Sequence, residues 1–138
     1  MSATHITAAL RRLVWQRAAG CCEYCRIHES EVLLPHEADH VIAEQHGGRT
    51  NETNLAVACF QCNKLKGPNL SAVDLVTGGI ELLFHPRLHE WREHFVFIGP
   101  RIETLTPRGR ATLNLLRFNA PERLRLRAAL IEGGRCFE

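Results

Sequence analysis

The stretch CFQCNKLKG, residues 59–67, joins a C-x-x-C knuckle to an asparagine, two lysines and a closing glycine. It reads as a turn opening a short helix that ends at Gly67-Pro68. A second knuckle lies upstream, where 33 residues separate the Cys22/Cys25 pair from the Cys59/Cys62 pair. The C-x-x-C spacing lets both sulfurs of a pair turn toward one ion. Two such pairs are the ligand pattern of a four-thiolate zinc site, with Zn–S distances of about 2.3 Å. A redox C-x-x-C is the rival reading, and the second pair argues against it. Cys21 competes with Cys22 for the metal, and the x-x spacing favours Cys22. Cys136 is left as an unpaired tail thiol.

Closing both knuckles on one ion loops out the segment between them. It also returns Asn63 toward a second stretch, ADHVIAEQHGG, residues 38–48. A hard divalent cation such as Mg2+ or Mn2+ takes oxygen ligands and keeps several waters. Asp39 and the amide oxygen of Asn63 can supply such oxygens and leave positions open for phosphate. An imidazole titrates near neutral pH, so His40 is the candidate general base toward water. Asn54 is suited to tie the intervening loop by side-chain to backbone hydrogen bonds. Lys64 and Lys66 are the candidate phosphate contacts. Adjacent strand residues point to opposite faces. Asp39 and His40 therefore share a phosphate only if the strand ends or bulges there.

The chain's totals bound this reading. Its 138 residues make one domain-sized body. We expect a single domain over 1–138: an N-terminal helix in 1–20, a core over 21–67 and an α/β extension over 68–138 packed on that core. Apolar content of 45% with 23% charged residues is ordinary for a globular chain. Apolar runs are short and the N-terminus lacks a basic start followed by an apolar stretch. The expectation is no membrane span, no secretory leader and a cytoplasmic location. The net charge of +2 hides a gradient. Residues 1–20 carry +3, residues 21–62 carry −5, residues 63–100 balance, and residues 101–138 carry +4. Basic flanks around an acidic middle suit a polyanion held against a metal site, although Arg-rich helices also have ordinary solvated faces.

Along the chain, THITAALRRLVWQRAAG sets Ile6, Ala9, Leu10, Leu13 and Val14 on one helical stripe, with Gly20 as the stop. EVLLPHEADHVIAEQ has strand character on both sides of Pro35, and NLAVAC is a short apolar strand candidate. DLVTGGIELLFHP reads as a strand pair around Gly78-Gly79, and FVFIGPRIETL as another around Gly99-Pro100. PRLHEWREHF places Leu88, Trp91 and Phe95 at helical spacing after Pro86. Thr106 with Pro107 starts a helix. Asn119 with Glu122 starts another, which Gly133-Gly134 terminates.

The order C-x-x-C, D-H, G-G, N-L, C-x-x-C-N-x-x-K-G resembles the HNH endonuclease family, the ββα-metal nucleases with an added four-cysteine zinc finger. The resemblance runs over residues 21–67. His40 matches the first H of the name, Asn54 the middle N, and Asn63 the last position. It implies an α+β fold with a ββα-metal core. It also implies His40 as base, Asp39 and Asn63 as ligands of a catalytic Mg2+ or Mn2+, Asn54 as loop organiser, and a structural Zn2+ on Cys22, Cys25, Cys59 and Cys62. The expected substrate is DNA, with RNA not excluded. Many members carry a proline where this chain has Ala43, and a small polar residue where it has His46. Neither departure removes a catalytic group.

Blander readings stand beside these. His28, His36 and His46 read as solvated loop residues, with His36 the one that could line a cleft. His85, His89 and His94 read as packing or surface groups beside Phe84, Trp91 and Phe95. The Leu and Phe stripe over 113–118 reads as core. Arg108, Arg110, Arg117, Arg123, Arg125 and Arg127 are phosphate contacts or solvated helix faces. Two function classes follow: a metal-dependent endonuclease, and a non-catalytic zinc-stapled nucleic-acid-binding module. Oligomeric state is not legible.

Overall fold

The computed structural model describes residues 5–138, so Thr4, where the first helical stretch begins, lies outside the described residues. The described residues group into two compact units. One comprises the chain up to Leu70 with His85–Leu88, and the other Ser71–Phe84 with His89–Glu138.

In the first unit, helix α1 (Ala8–Ala18) is opened by Thr7, whose side chain accepts from the Leu10 N–H. It closes at Ala19 in the left-handed conformation, just before Gly20. Its buried stripe is Val14 and Ala18, with Ile6, Leu10 and Trp15 partly buried around them. Leu13 and Ala9, expected on that stripe, face outward. Strand β1 (Glu37–His40) pairs antiparallel with β2 (Leu55–Ala58), with Asp39 opposite Ala56 and His40 opposite Leu55. The strand expected before Pro35 does not form. Glu29–Glu31 make a 3-10 turn, and Leu33 and Leu34 lie exposed with no strand partner. Helix α2 (Phe60–Lys66) follows β2, with the Cys59 sulfur accepting from the Cys62 N–H at its start. The element order β1, β2, α2 is an α+β arrangement with small antiparallel strands.

Every β2 residue is buried, and alternation splits them between two faces. Leu55 and Val57 pack with α1. Ala56 and Ala58 lie on the other face, where their small side chains let α2 come close. The far edge of β2 is closed by polar groups. The Glu23 N–H donates to Val57 O (2.8 Å), and the Glu23 carboxylate accepts from the Val57 N–H (2.8 Å). Arg87 donates to the same carboxylate, and Arg17 donates to Leu55 O. The first knuckle thus sits on β2 as a substitute strand, satisfying backbone groups that burial would otherwise orphan.

In the second unit, β3 (Ser71–Val73) pairs with β4 (Ile80–Leu82) across the expected Gly78-Gly79 turn. Helix α3 (Trp91–His94) is one turn only, because Phe95 already begins β5 (Phe95–Ile98). The longer helix expected from Pro86 is therefore absent. Strand β5 pairs with β6 (Arg101–Thr104). Helix α4 (Pro107–Leu116) starts as expected, with Thr106 Oγ1 accepting from the Gly109 N–H. Helix α5 (Pro121–Glu132) starts at Ala120 rather than Asn119. The Asn119 amide instead bonds both backbone groups of Ile102, at 3.0 and 2.8 Å. Phe84, Phe95 and Phe118 meet edge to face at the centre of this unit, with Leu116 buried beside them.

Candidate active site and metal centre

Two knuckles and two helices of the first unit bring four cysteines together. Cys22, Cys25, Cys59 and Cys62 are all buried, and their sulfurs lie within 4.8 Å of one another. Cys25 Sγ and Cys59 Sγ are 3.8 Å apart. Four sulfurs about 2.3 Å from one tetrahedral zinc stand about 3.8 Å apart along each edge, so the donor set fits that ion. None of the four is joined in a disulfide. Burial pushes the Cys22 and Cys62 thiols well up, a cost that a bound divalent ion reverses. Cys21 is not in the cluster. It forms a β-bridge with His28, and Cys22 is the cysteine that joins the four-sulfur cluster.

Asp39, His40 and Asn63 line one cleft of about 810 Å³, together with His36, Glu37 and Arg11. Period-two alternation on β1 sends Glu37 and Asp39 to the α2 face. Positions three apart on α2 send Asn63 and Lys66 back toward them. Asn63 Nδ2 donates to Glu37 Oε2 (2.6 Å). Lys66 Nζ lies 3.2 Å from Asp39 Oδ2 and donates to His40 O (3.1 Å). The Tyr24 hydroxyl donates to Asp39 Oδ2 (2.7 Å). Burial pushes the Asp39 carboxyl up, against the opposing pull of Lys66 and Tyr24.

His40 closes β1. The strand stops there and the chain bends at 41–42. The His40 ring therefore stands at a strand end, where it shares the cleft with Asp39 despite pointing from the other face. His40 Nε2 is 2.8 Å from Thr50 Oγ1 and 3.7 Å from Glu44 Oε1. Asn54 knits the loop between the strands. Its Nδ2 donates to Ile42 O and to Arg49 O, and its Oδ1 accepts from the Ile42 N–H, each at 2.9 Å. The two loop glycines serve different ends. Gly47 has φ +93°, and a Cβ on Gly48 would stand 1.7 Å from Ile42 O.

The two lysines part company. Lys64 is exposed, its ammonium near the Phe60 ring. Lys66 is 1% exposed and bonded inward, so it does not stand where a phosphate would meet it. The cation that lines the cleft is Arg11, whose guanidinium rests over the Trp15 ring at 5.0 Å. His36 is not a solvated loop residue. It is buried, and its Nε2 donates to Ile27 O (3.0 Å).

Sequence reading missed Glu37, Tyr24, Thr50 and Arg11 as parts of this neighbourhood. Glu37 is two residues before Asp39, which on a strand means the same face. Tyr24 lies inside the first knuckle. Thr50 and Arg11 carry no local signal, because only the fold brings them near. Among the described residues, no helix is long and apolar enough to cross a membrane. Residues 22–69, about a third of the chain, match the family model described as HNH endonuclease. No curated protein and no solved structure matches the chain.

Proposed function

With an HNH endonuclease domain over residues 22–69 as the premise, we propose that the chain is a divalent-metal-dependent endonuclease that nicks DNA. HNH domains act on nucleic acids and are generally nucleases. The observation that carries the finer reading is the single cleft lined by Asp39, His40 and Asn63 beside a four-cysteine centre.

Asp39 Oδ1 and Asn63 Oδ1 are the oxygens that would hold Mg2+ or Mn2+; Glu37 accepts from the Asn63 amide nitrogen and so leaves its oxygen for the ion. When bound, that ion supplies charge stabilisation to the phosphoryl oxygens as the ester is cleaved. His40 accepts the proton of the attacking water at Nδ1, with Nε2 engaged by Thr50. Asn54 holds the loop that follows His40. Arg11 in the cleft and Lys64 outside it meet neighbouring phosphates as fixed charges. The structural Zn2+ belongs to Cys22, Cys25, Cys59 and Cys62. One site per chain makes a single-strand nick the product of one encounter.

The test is relaxation of supercoiled plasmid in Mg2+ or Mn2+, comparing the native chain with His40→Ala. Removal of a general base lowers the rate by roughly 10²–10⁴-fold; an unchanged rate would refute the assignment. Single-stranded RNA in the same assay asks whether DNA is the preferred polymer. A second reading, a non-catalytic nucleic-acid-binding module, draws on the Lys66 ammonium already seated on Asp39. DNA binding without nicking in either cation would establish it.

A further inference from the structure

Asp39 is held by a residue of the cysteine centre itself. Tyr24 lies between Cys22 and Cys25, is fully buried, and donates its hydroxyl to Asp39 Oδ2 at 2.7 Å. Lys66 Nζ approaches the same oxygen more closely than the other, at 3.2 Å to Oδ2 and 3.5 Å to Oδ1. Oδ2 therefore holds the short hydrogen bond from Tyr24, while the hydrogen bond that Lys66 donates goes to Oδ1 and is long. A carboxylate has lone pairs on both oxygens, so fixing Oδ2 by one short hydrogen bond orients Oδ1. Asp39 lines the cleft, and Oδ1 is the oxygen with the weaker protein contact.

We propose that Tyr24 is a positioning residue that presents Asp39 Oδ1 to the catalytic cation, so that the cysteine knuckle sets the geometry of the nuclease site as well as the fold. The inference rests on Asp39 being a ligand of that cation, the reading given above. The mechanical link is short. Two sulfurs of one ion flank Tyr24, and the Glu23 carboxylate and N–H, one residue before it, fasten the knuckle to Val57 of β2. The backbone carrying the ring is thus anchored on both sides, and full burial confines the ring itself. Lys66 alone leaves Asp39 a single cationic donor at longer range, with a flexible stem in place of a fixed ring.

The discriminating variant is Tyr24→Phe, which removes one oxygen and keeps the buried ring. The zinc-loaded full chain is titrated with Mn2+, and free Mn2+ is read by electron paramagnetic resonance. Groups that orient a metal ligand typically change affinity by 10–100-fold when removed. Tyr24→Phe is expected to weaken Mn2+ binding by at least ~10-fold, while zinc content and the visible bands of a Co2+-substituted cysteine centre stay as in the native chain. In nicking assays the half-saturating Mn2+ concentration rises by the same factor, and the rate at saturating Mn2+ is retained. An unchanged Mn2+ affinity in Tyr24→Phe overturns the inference, as does loss of zinc or of the Co2+ bands, which would make Tyr24 a holder of the knuckle only. Asp39→Asn is measured alongside. If it abolishes Mn2+ binding while Tyr24→Phe does not weaken it, the ligand reading stands and the positioning role falls. If it leaves Mn2+ binding intact, Asp39 is not a ligand and both fall.

Discussion

Lys66 is almost wholly buried, a setting an ammonium tolerates only with a partner. In the string CNKLKG it is one of two lysines beside a knuckle. In the structure it is a buried partner of Asp39 and of the His40 carbonyl, whereas Lys64, two residues earlier, faces solvent. Breaking a buried ion pair by removing one partner leaves an uncompensated charge. Lys66→Met keeps the stem and removes the ammonium, and is expected to cost about 3–5 kcal/mol of stability. Urea denaturation of the zinc-loaded chain reads this, and a loss below about 1 kcal/mol would show that the pair contributes little beyond an exposed one. Arg11 offers the opposite case, a cation restrained by a ring but otherwise turned to the cleft. Arg11→Ala is expected to weaken DNA binding and lower the slope of log affinity against log salt by about 1, as loss of one phosphate contact requires. An unchanged slope would place Arg11 away from the polymer.

At the scale of elements, the loop from β1 to β2 and the cysteine knuckles carry the most specific demands. Gly48 approaches Ile42 O so closely that any Cβ collides with backbone, and the Asn54 amide sits in the same space. Gly48→Ala is expected to displace the loop behind His40, lowering both the melting temperature and nicking. Gly47→Ala meets no atom, and its penalty is only the left-handed φ. Equal melting temperatures for Gly48→Ala and the native chain would contradict the packing argument. The knuckles depend on their ion, since structural zinc contributes folding energy directly. Cys59→Ser should lose zinc and unfold the segment containing β1, β2 and α2, as far-ultraviolet circular dichroism would show. A native melting curve for that variant, or for the native chain after chelation, would contradict it.

For the whole chain, titration is most informative in the second unit. Burial, and after it the Arg108 guanidinium, holds His89 and His94 below the ordinary imidazole range. Arg108 donates to His89 Nε2 at 2.8 Å, so that ring is neutral there. The Arg110 guanidinium, bidentate on Asp74 at 2.8 and 2.9 Å, holds the Asp74 carboxyl well below the usual range. All three groups bind fewer protons folded than unfolded, so stability falls as pH falls. The histidine contribution is present above about pH 6.5 and is lost on acidification below it; the Asp74 contribution is present above about pH 4 and is lost further down. Denaturant midpoints measured from pH 8 to 3 should decline in these two stages, and Asp74→Asn should remove the lower one. A midpoint independent of pH between 7 and 5 would refute the histidine stage.

Local pattern carried much of the first unit. Thiolate spacing, the short apolar run before Cys59, the N-terminal helix stopped at Gly20 and the Gly-Gly turn are short-range constraints, written in consecutive residues. The same holds for Thr106-Pro107 and for the turns at Gly78-Gly79 and Gly99-Pro100 in the second unit. Patterns failed where a distant partner decides. The residues before Pro35 have strand-like composition but find no strand to pair with, so they bend instead. Arg123 and Arg127 look like phosphate contacts or solvated charges, yet both are buried and donate to the carbonyls of Leu116 and Phe118. Asn119 looks like a cap and instead braces Ile102.

By itself, then, the sequence determined that four cysteines stand in two knuckles able to build one centre, because C-x-x-C spacing turns both sulfurs of a pair the same way. Only the tertiary structure decided which oxygen of Asp39 is tied and by whom, that Lys66 turns inward, that Glu37 receives Asn63, and that α1 brings Arg11 to the cleft. Those outcomes depend on which face of β1 meets α2 and which edge of β2 receives the knuckle. Such pairings are made by packing between segments far apart in the chain, and no local run of residues specifies them.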